Sequence, residues 1–235
     1  MDVVNQVSGW LTDPVNWSGP NGIPVRTLQH LLYSLLATAM AAAIALPIGI
    51  LIGHTGRGAL VAVNTTNLGR AIPSLGILIL MFTLVGFGVI PVLVALTALA
   101  VPPMVTNSYI GVRSVDPEVR EAAEGMGMRG RQVLWQVELP VAMPLIMAGI
   151  RTSTVQVVAT ATLAAIVGLG GLGRYLIDGL SQRDLPQVVG GAILVAVLSL
   201  VTELALGRLQ TLVVPRGLAE RGADAAVRAK VQKAA

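Results

Sequence analysis

The sequence predicts an all-α protein that crosses a membrane about five times. Hydrophobic residues make up 54% of its 235 residues and charged residues only 12%, a balance outside that of ordinary soluble domains. The apolar residues are also gathered into runs of about 20, the length that an α-helix needs to cross a bilayer. Cysteine is absent and the only histidines are His30 and His54, so we expect neither disulfides nor a metal site.

Five apolar runs are the predicted membrane spans. They cover residues 31–53, 71–88, 90–112, 141–168 and 188–207. Within the third run, Pro102 and Pro103 predict a break or kink, because proline cannot donate the helical hydrogen bond. In the first run, Gly49 and Gly53 are four residues apart, a spacing that lets two helices approach closely. We expect this contact to be with another helix of the same subunit.

Basic residues concentrate after the first, third and fifth runs, which predicts the orientation of the chain. Loops rich in lysine and arginine stay in the cytoplasm, so the N-terminus is expected outside and the C-terminus inside. The predicted organisation is an extracytoplasmic segment (1–26), a membrane domain (27–208) that contains a cytoplasmic loop (114–140), and a cytoplasmic polar tail (209–235). Lysine first occurs at Lys230, so the apolar body has no phosphate-binding loop of the GxxxxGK type.

The predicted cytoplasmic loop begins with a helix start signal. The carboxylate of Asp116 can cap free backbone N–H groups, and Pro117 suits the first helical position. Four residues separate Arg120 from Glu124, so the two can pair on the exposed side of the helix. We expect a short helix that lies along the membrane surface.

Small side chains give this helix a smooth face for another protein. The motif that carries them extends over twenty residues and consists of Glu121, Ala122, Ala123, Gly127, Val137, Leu139 and Pro140. This spacing resembles the EAA loop of the permease subunits of binding-protein-dependent ABC importers. The stretches AIPSLGILIL, VELPVAMPLIMAGIRTSTV and ATATLAAIVGLGGLG are similar to the subfamily that takes up osmoprotectants such as glycine betaine, carnitine and choline.

The resemblance implies a type I ABC importer permease fold and a transport subunit that is not itself an enzyme. It implies that Glu121, Ala122, Ala123 and Gly127 contact a separate ATPase, which binds ATP and Mg, and that Val137, Leu139 and Pro140 also belong to the coupling loop. It implies that this chain needs no cofactor. The implied partners are that ATPase, a second permease of the same or a related sequence, an extracytoplasmic solute-binding protein and the lipid bilayer. Nucleic acid is not expected, because the basic residues lie between apolar runs instead of on one face.

Polar residues within the spans are candidates for the solute pathway. Thr152, Gln156 and Thr160 are spaced four residues apart, which places their side chains on one face of the fourth span. Such a stripe either lines a pathway or forms hydrogen bonds between helices, and the sequence leaves both open. Asn107 and Ser108 are similar candidates on the third span.

Two other features are assigned structural roles. Glu203 lies inside the fifth span, and Arg208 is near enough in sequence to be its predicted partner. Residues 168–173, GLGGLG, fit the GxGxxG dinucleotide motif but follow a long apolar helix and open no βαβ unit. We interpret them as the outer end of the fourth span.

Aromatic residues form only 3% of the chain, although proteins that select quaternary amines favour aromatic cages. Solute recognition is therefore expected on the separate binding protein. An importer for amino acids or other small solutes remains an alternative, because the loop motif indicates contact with an ATPase and does not indicate which solute is carried. A second alternative is an autonomous secondary transporter or channel, which would work without an ATPase.

Overall fold

Helices account for the regular structure of the part of the chain that the structure describes. This is a computed structural model, and it describes residues 3–60, 64 and 73–214, among which there is no strand. The α-helices are α1 (Val3–Thr12), α2 (Ile23–Thr55), α3 (Ser74–Val85), α4 (Val89–Arg113), α5 (Pro117–Gly125), α6 (Gly130–Val133), α7 (Leu139–Thr160), α8 (Gly173–Gln182) and α9 (Leu185–Val213). A π-helical turn (Leu134–Glu138) joins α6 to α7, and a 3₁₀-helix (Ala161–Val167) extends α7.

Among the described residues, four helical segments are long and apolar enough to cross a membrane. They are α2, α4, the continuous run from Gly130 to Val167, and α9. The second predicted span corresponds to α3, which has 12 residues. At 1.5 Å per residue this helix is about 18 Å long, less than the roughly 30 Å of a bilayer core. Residues 71 and 72, where the second span was predicted to begin, lie outside the described residues, so that span stays a prediction.

The ends of the first and last spans differ from the sequence-based boundaries. The first span was predicted from residue 31, but α2 already begins at Ile23, with Gly22 at its N-cap and a proline in its first turn. Polar side chains in these added turns pack against the protein, which is why hydropathy alone did not include them. The last helix continues to Val213, past the predicted start of the polar tail at 209. Residues 215–235 of that tail lie outside the described residues.

The centre of the bundle is α4, which contacts α2, α3 and α7. In the most apolar 18-residue stretch of α4, 56% is buried inside the protein, whereas in the corresponding stretch of α9 only 17% is buried. The chain stays helical through Pro102 and Pro103, so the proline pair does not break α4. Most of the surface of α9 is therefore available to lipid or to another subunit.

Two glycines allow α2 and α4 to pack closely. A Cβ added to Gly49 would lie 2.6 Å from the carbonyl oxygen of Val105, and one added to Gly53 would lie 2.7 Å from the Cβ of Val112. Both distances are too short for a real side chain, so these positions require glycine. The prediction that Gly49 and Gly53 serve packing within the subunit is confirmed.

Candidate functional site

The loop between α4 and α7 emerges at the end of the bundle that carries most of the arginines, which we call the arginine-rich end. Its helix α5 starts as the sequence indicates, because the side chain of Asp116 accepts a hydrogen bond of 3.0 Å from the backbone N–H of Glu118. Pro117 occupies the first turn. The end of α5 is followed by Gly127, with φ of +84°, a conformation that favours glycine. These features set the length and direction of the helix.

The first half of the sequence motif lies on α5, with Gly127 just after the end of the helix, and is only partly exposed. The side chains of Glu121 and Ala122 are exposed, and Gly127 is exposed with no atom within 4 Å of an added Cβ. In contrast, Ala123 is 3% exposed and faces the rest of the subunit. The smooth outer surface of the loop is therefore formed by Ala122 and Gly127, and Ala123 serves to seat α5 on the bundle.

The second half of the motif does not lie on α5. Val137 belongs to the π-helical turn, while Leu139 and Pro140 begin α7. Val137 and Leu139 are half-buried and Pro140 is exposed. These residues connect the loop to the membrane helix, whereas Glu121, Ala122 and Gly127 form the outward surface.

A buried ionic cluster behind α5 was not predicted from the sequence. The carboxylate of Glu138 is 1% exposed, with Oε1 3.0 Å from Nε of Arg120 and Oε2 2.6 Å from Nδ1 of His54. The predicted pairing of Arg120 with Glu124 does not occur, because the Arg120 side chain turns inward. Since Glu124 is exposed, a pair there would gain little, whereas a buried carboxylate requires partners.

The polar stripe of the fourth span is on α7. Thr152 is exposed, Gln156 and Thr160 are half-buried, and none of the three forms a hydrogen bond with another described residue. The hydrogen bond between neighbouring helices comes instead from Ser153, whose hydroxyl donates to the carbonyl of Ala100 at 2.9 Å. The stripe therefore keeps its interpretation as a candidate pathway surface.

The two candidates on α4 are in different surroundings. The side-chain amide of Asn107 is half-buried and donates to the carbonyl of Pro103 on its own helix at 2.8 Å. Ser108 is fully buried against Gly49, and its hydroxyl has no partner among the described residues. Ser108 lies in the contact between α2 and α4, and Asn107 packs with its Cβ against Gly149 of α7, so both lining assignments stay predictions.

The predicted pairing of Glu203 with Arg208 is wrong. The carboxylate of Glu203 pairs with Arg151, a residue in the middle of α7, and both side chains are about one-third exposed. The contact spans 52 residues of sequence, so no local spacing could reveal it. A charged pair inside membrane helices is costly unless it faces protein or water, which points this part of the α7–α9 surface away from lipid.

At the opposite end of the bundle, hydrogen bonds between neutral side chains and backbone groups join segments that are distant in sequence. Gln29 on α2 accepts a 2.9 Å hydrogen bond from the backbone N–H of Gly171, and the hydroxyl of Tyr175 donates to the carbonyl of Asn21 at 2.7 Å. Residues 168–173 thus pack on α2 after a 3₁₀-helix, with no strand before them. This arrangement agrees with the structural interpretation of the GLGGLG stretch.

Within the described part of the chain, no group of three or more His, Asp or Glu side chains could hold a metal ion. The arrangement instead combines an exposed small-faced helix, a helical bundle and a polar stripe. Such a combination suits mechanical contact with a partner and passage of a solute.

Comparisons with known proteins agree on what this architecture is. Residues 45–217 match the family described as "binding-protein-dependent transport system inner membrane component". A carnitine transport permease protein, OpuCB, of Listeria monocytogenes is 40% identical over 83% of this chain and 90% of its own length. The glycine betaine/carnitine/choline transport system permease protein OpuCB of Bacillus subtilis is 37% identical over 82% and 89%. The osmoprotectant import permease protein OsmW of Salmonella typhimurium is 36% identical over 82% and 92%.

Solved structures show the same fold. A chain of the inward-facing MetNI methionine ABC transporter superposes with a TM-score of 0.72 at 22% identity, covering 87% of this chain and all of that one. The predicted all-α fold of a type I ABC importer permease is thereby confirmed. With four long apolar helices in its described segments and a family match over more than half its length, the chain is a multi-pass membrane protein. It belongs to the family of inner-membrane components of binding-protein-dependent transport systems.

Proposed function

We propose that this chain forms the solute pathway of an ATP-driven importer for compatible solutes such as glycine betaine, carnitine or choline. The named relatives, at 36–40% identity over most of their length, support this solute class. The chain itself carries out transport, while ATP and Mg bind to a separate ATPase. A second permease and an extracytoplasmic binding protein complete the assembly, and the arginine-rich end faces the cytoplasm with the C-terminus inside.

The observation that carries the proposal is the outward surface of α5. Glu121, Ala122 and Gly127 are exposed beyond the end of the bundle, and nothing in the described part of the subunit covers them. The small side chain of Ala122 on α5, and Gly127 just after the end of the helix, leave room for a groove on another protein to approach the backbone. Closure of the ATPase pair on ATP moves α5, and the attached π-helical turn and α7 carry the movement into the bundle.

The pathway runs beside the partly exposed face of α7 that bears Thr152, Gln156 and Thr160, with Asn107 of α4 as a further lining residue. Side chains of this kind offer hydrogen bonds to water and to a solute carboxylate or hydroxyl. They offer no aromatic cage, so binding by the permease is weak and selection occurs on the binding protein. Weak binding suits a passage that must release its solute on the other side.

The coupling role is tested by enlarging Ala122. Ala122→Trp adds a bulky side chain at an exposed position on α5. In proteoliposomes that contain the assembled importer, we expect ATP-driven uptake to be lost, because the ring prevents close approach of the ATPase. Arg208→Trp, also exposed and at the same end, is the matched control and retains uptake. Unchanged uptake by Ala122→Trp would contradict the coupling role of α5.

The solute class is tested in the same vesicles with the cognate binding protein. Uptake of labelled glycine betaine, carnitine or choline is expected, with at least one of them competing for the others. Uptake of methionine with no response to betaine or choline would replace the proposed class with amino acids. Uptake that persists without any ATPase would identify a secondary transporter instead.

A further inference from the structure

Glu138 occupies a junction between the loop and the membrane helices. It is the last residue of the π-helical turn, immediately before α7 begins. At 1% exposure it is among the most buried polar residues of the described chain. A carboxylate in such a place is retained only where other groups supply charge and hydrogen bonds.

Both carboxylate oxygens have a partner from a different element. Oε2 lies 2.6 Å from Nδ1 of His54, the next-to-last residue of α2, and Oε1 lies 3.0 Å from Nε of Arg120 on α5. The guanidinium of Arg120 also donates through Nη2 to the carbonyl of Val112, in the last turn of α4. One buried cluster therefore connects α5 with α2, α4 and the start of α7.

The physical properties of the cluster favour a single arrangement. Moving α5 alone would separate Arg120 from Glu138 and leave a carboxylate without its cation in a site closed to water. This penalty is avoided if α5 moves together with the ends of α2, α4 and α7. A buried ion pair thus adds little to overall stability compared with apolar packing, but it strongly opposes rearrangement in which one partner leaves the other.

The π-helical turn adds to this interpretation. Its backbone closes with a hydrogen bond from the N–H of Leu139 to the carbonyl of Leu134, five residues earlier. Such single turns are uncommon and are found frequently at functional sites. Here the turn ends on Glu138, at the point where the loop becomes a membrane helix.

We propose that Glu138 is a positioning residue that, through Arg120 and His54, makes α5 and the adjoining ends of three membrane helices move as one body. The proposal rests on the coupling function proposed above for α5. Contact with the ATPase is made by the outer face of α5, whereas the Glu138 cluster on its inner face determines how fully that movement reaches the solute pathway. Loss of the cluster uncouples ATP hydrolysis from transport without removing the ATPase.

The test measures the ratio of solute taken up to ATP hydrolysed by the assembled importer in proteoliposomes. Glu138→Gln keeps the shape of the side chain and removes its charge, and Arg120→Gln removes the partner from a position nearer to solvent. We expect both complexes to retain the ATPase and to hydrolyse ATP, with the uptake-to-hydrolysis ratio lowered about fivefold or more. Arg120→Lys, which keeps the charge, is expected to restore part of the ratio.

The double variant Arg120→Gln with Glu138→Gln supplies a second measurement. Because it leaves no unpaired buried charge, its loss should be smaller than the product of the two single losses. Arg208→Gln is the matched control, since it removes an exposed arginine at the same end and should leave the ratio unchanged.

The results separate this proposal from the proposed function. Uptake and hydrolysis that fall together at an unchanged ratio would limit Glu138 to a role in folding and overturn the proposal, as would losses that simply multiply in the double variant. A ratio for Arg120→Lys no better than that for Arg120→Gln would overturn the ion-pair role. If Ala122→Trp abolishes uptake while Glu138→Gln leaves the ratio normal, α5 couples to the ATPase but the cluster does not transmit. If Ala122→Trp has no effect, the coupling function itself fails.

Discussion

The two ends of the bundle hold their helices together by different means. At the arginine-rich end, the buried carboxylate of Glu138 lies 2.6 Å from Nδ1 of His54 and forms a salt bridge with Arg120. At the opposite end, Gln29 and Tyr175 contact backbone groups, and glycines let segments pack closely. Each neutral hydrogen bond contributes modestly to the free energy of unfolding, whereas a buried charge is costly as soon as one of its partners is lost. The first end is therefore suited to moving as a unit, and the second to local adjustment.

The largest effect is expected when the buried carboxylate is removed. Glu138→Ala leaves Arg120 and His54 without the carboxylate beside them and opens a cavity, so the free energy of unfolding should fall by about 3 kcal/mol. Thermal unfolding in detergent, followed by tryptophan fluorescence, measures the change. Glu124→Ala, an exposed carboxylate on the same loop, is the control and should change stability by less than about 0.5 kcal/mol. Equal effects of the two substitutions would remove the contrast between buried and exposed charge.

Close packing at the opposite end predicts a smaller loss for Gly173→Ala. An added Cβ would lie 2.7 Å from the Cα of Thr162 and overlap its carbonyl, and backbone cannot move aside as a flexible side chain can. We expect a loss of about 2 kcal/mol in unfolding free energy, in the range for overpacked sites. Gly9→Ala, where an added Cβ meets no atom within 4 Å, should be neutral or slightly stabilising. A neutral Gly173→Ala would show that this end adapts more easily than the structure indicates.

A single neutral hydrogen bond should matter less. Gln29→Leu removes the acceptor of the Gly171 N–H and should cost about 1 kcal/mol. Gln29→Glu keeps an acceptor oxygen beside Arg26, whose Nη1 is 3.2 Å from the present side-chain oxygen, and should retain the stability. Hydrogen exchange at the Gly171 amide checks the mechanism, since faster exchange is expected only for the leucine variant. Similar exchange rates in both variants would show that the side chain at position 29 does not protect the Gly171 amide.

The smallest effect concerns pH. Burial raises the pKa of Tyr175 above its ordinary value of 10.0, although the nearby charge of Arg26 acts in the other direction. A raised pKa in the folded state means that stability is fully present below pH 10 and is lost as the pH rises through the folded pKa. The free energy of unfolding should therefore decline in this alkaline range, and Tyr175→Phe should reduce the decline. An identical pH dependence in the phenylalanine variant would contradict the assignment.

Several parts of the fold could be predicted because their causes are local. Runs of apolar residues indicate spanning helices, the Asp116-Pro117 pair indicates the start of α5, and the spacing of Gly49 and Gly53 indicates close packing. The motif also marked α5 correctly as an exposed helix. The start of α2 at Ile23 was missed, because polar side chains in its first turns find partners in segments that are distant in sequence.

Amino-acid order by itself determined that this chain is a helical membrane protein with a small-faced helix outside the bundle, since hydropathy, capping and helical periodicity depend on near neighbours. Tertiary structure decided the partners of the charges. Arg120 pairs with Glu138 instead of Glu124, and Glu203 with Arg151 instead of Arg208. For Glu138 the physical reason is desolvation, because a carboxylate withdrawn from water requires partners, and His54, 84 residues away in sequence, reaches it only in the folded chain. The Glu203–Arg151 pair is about one-third exposed and follows instead from the packing of α9 on α7.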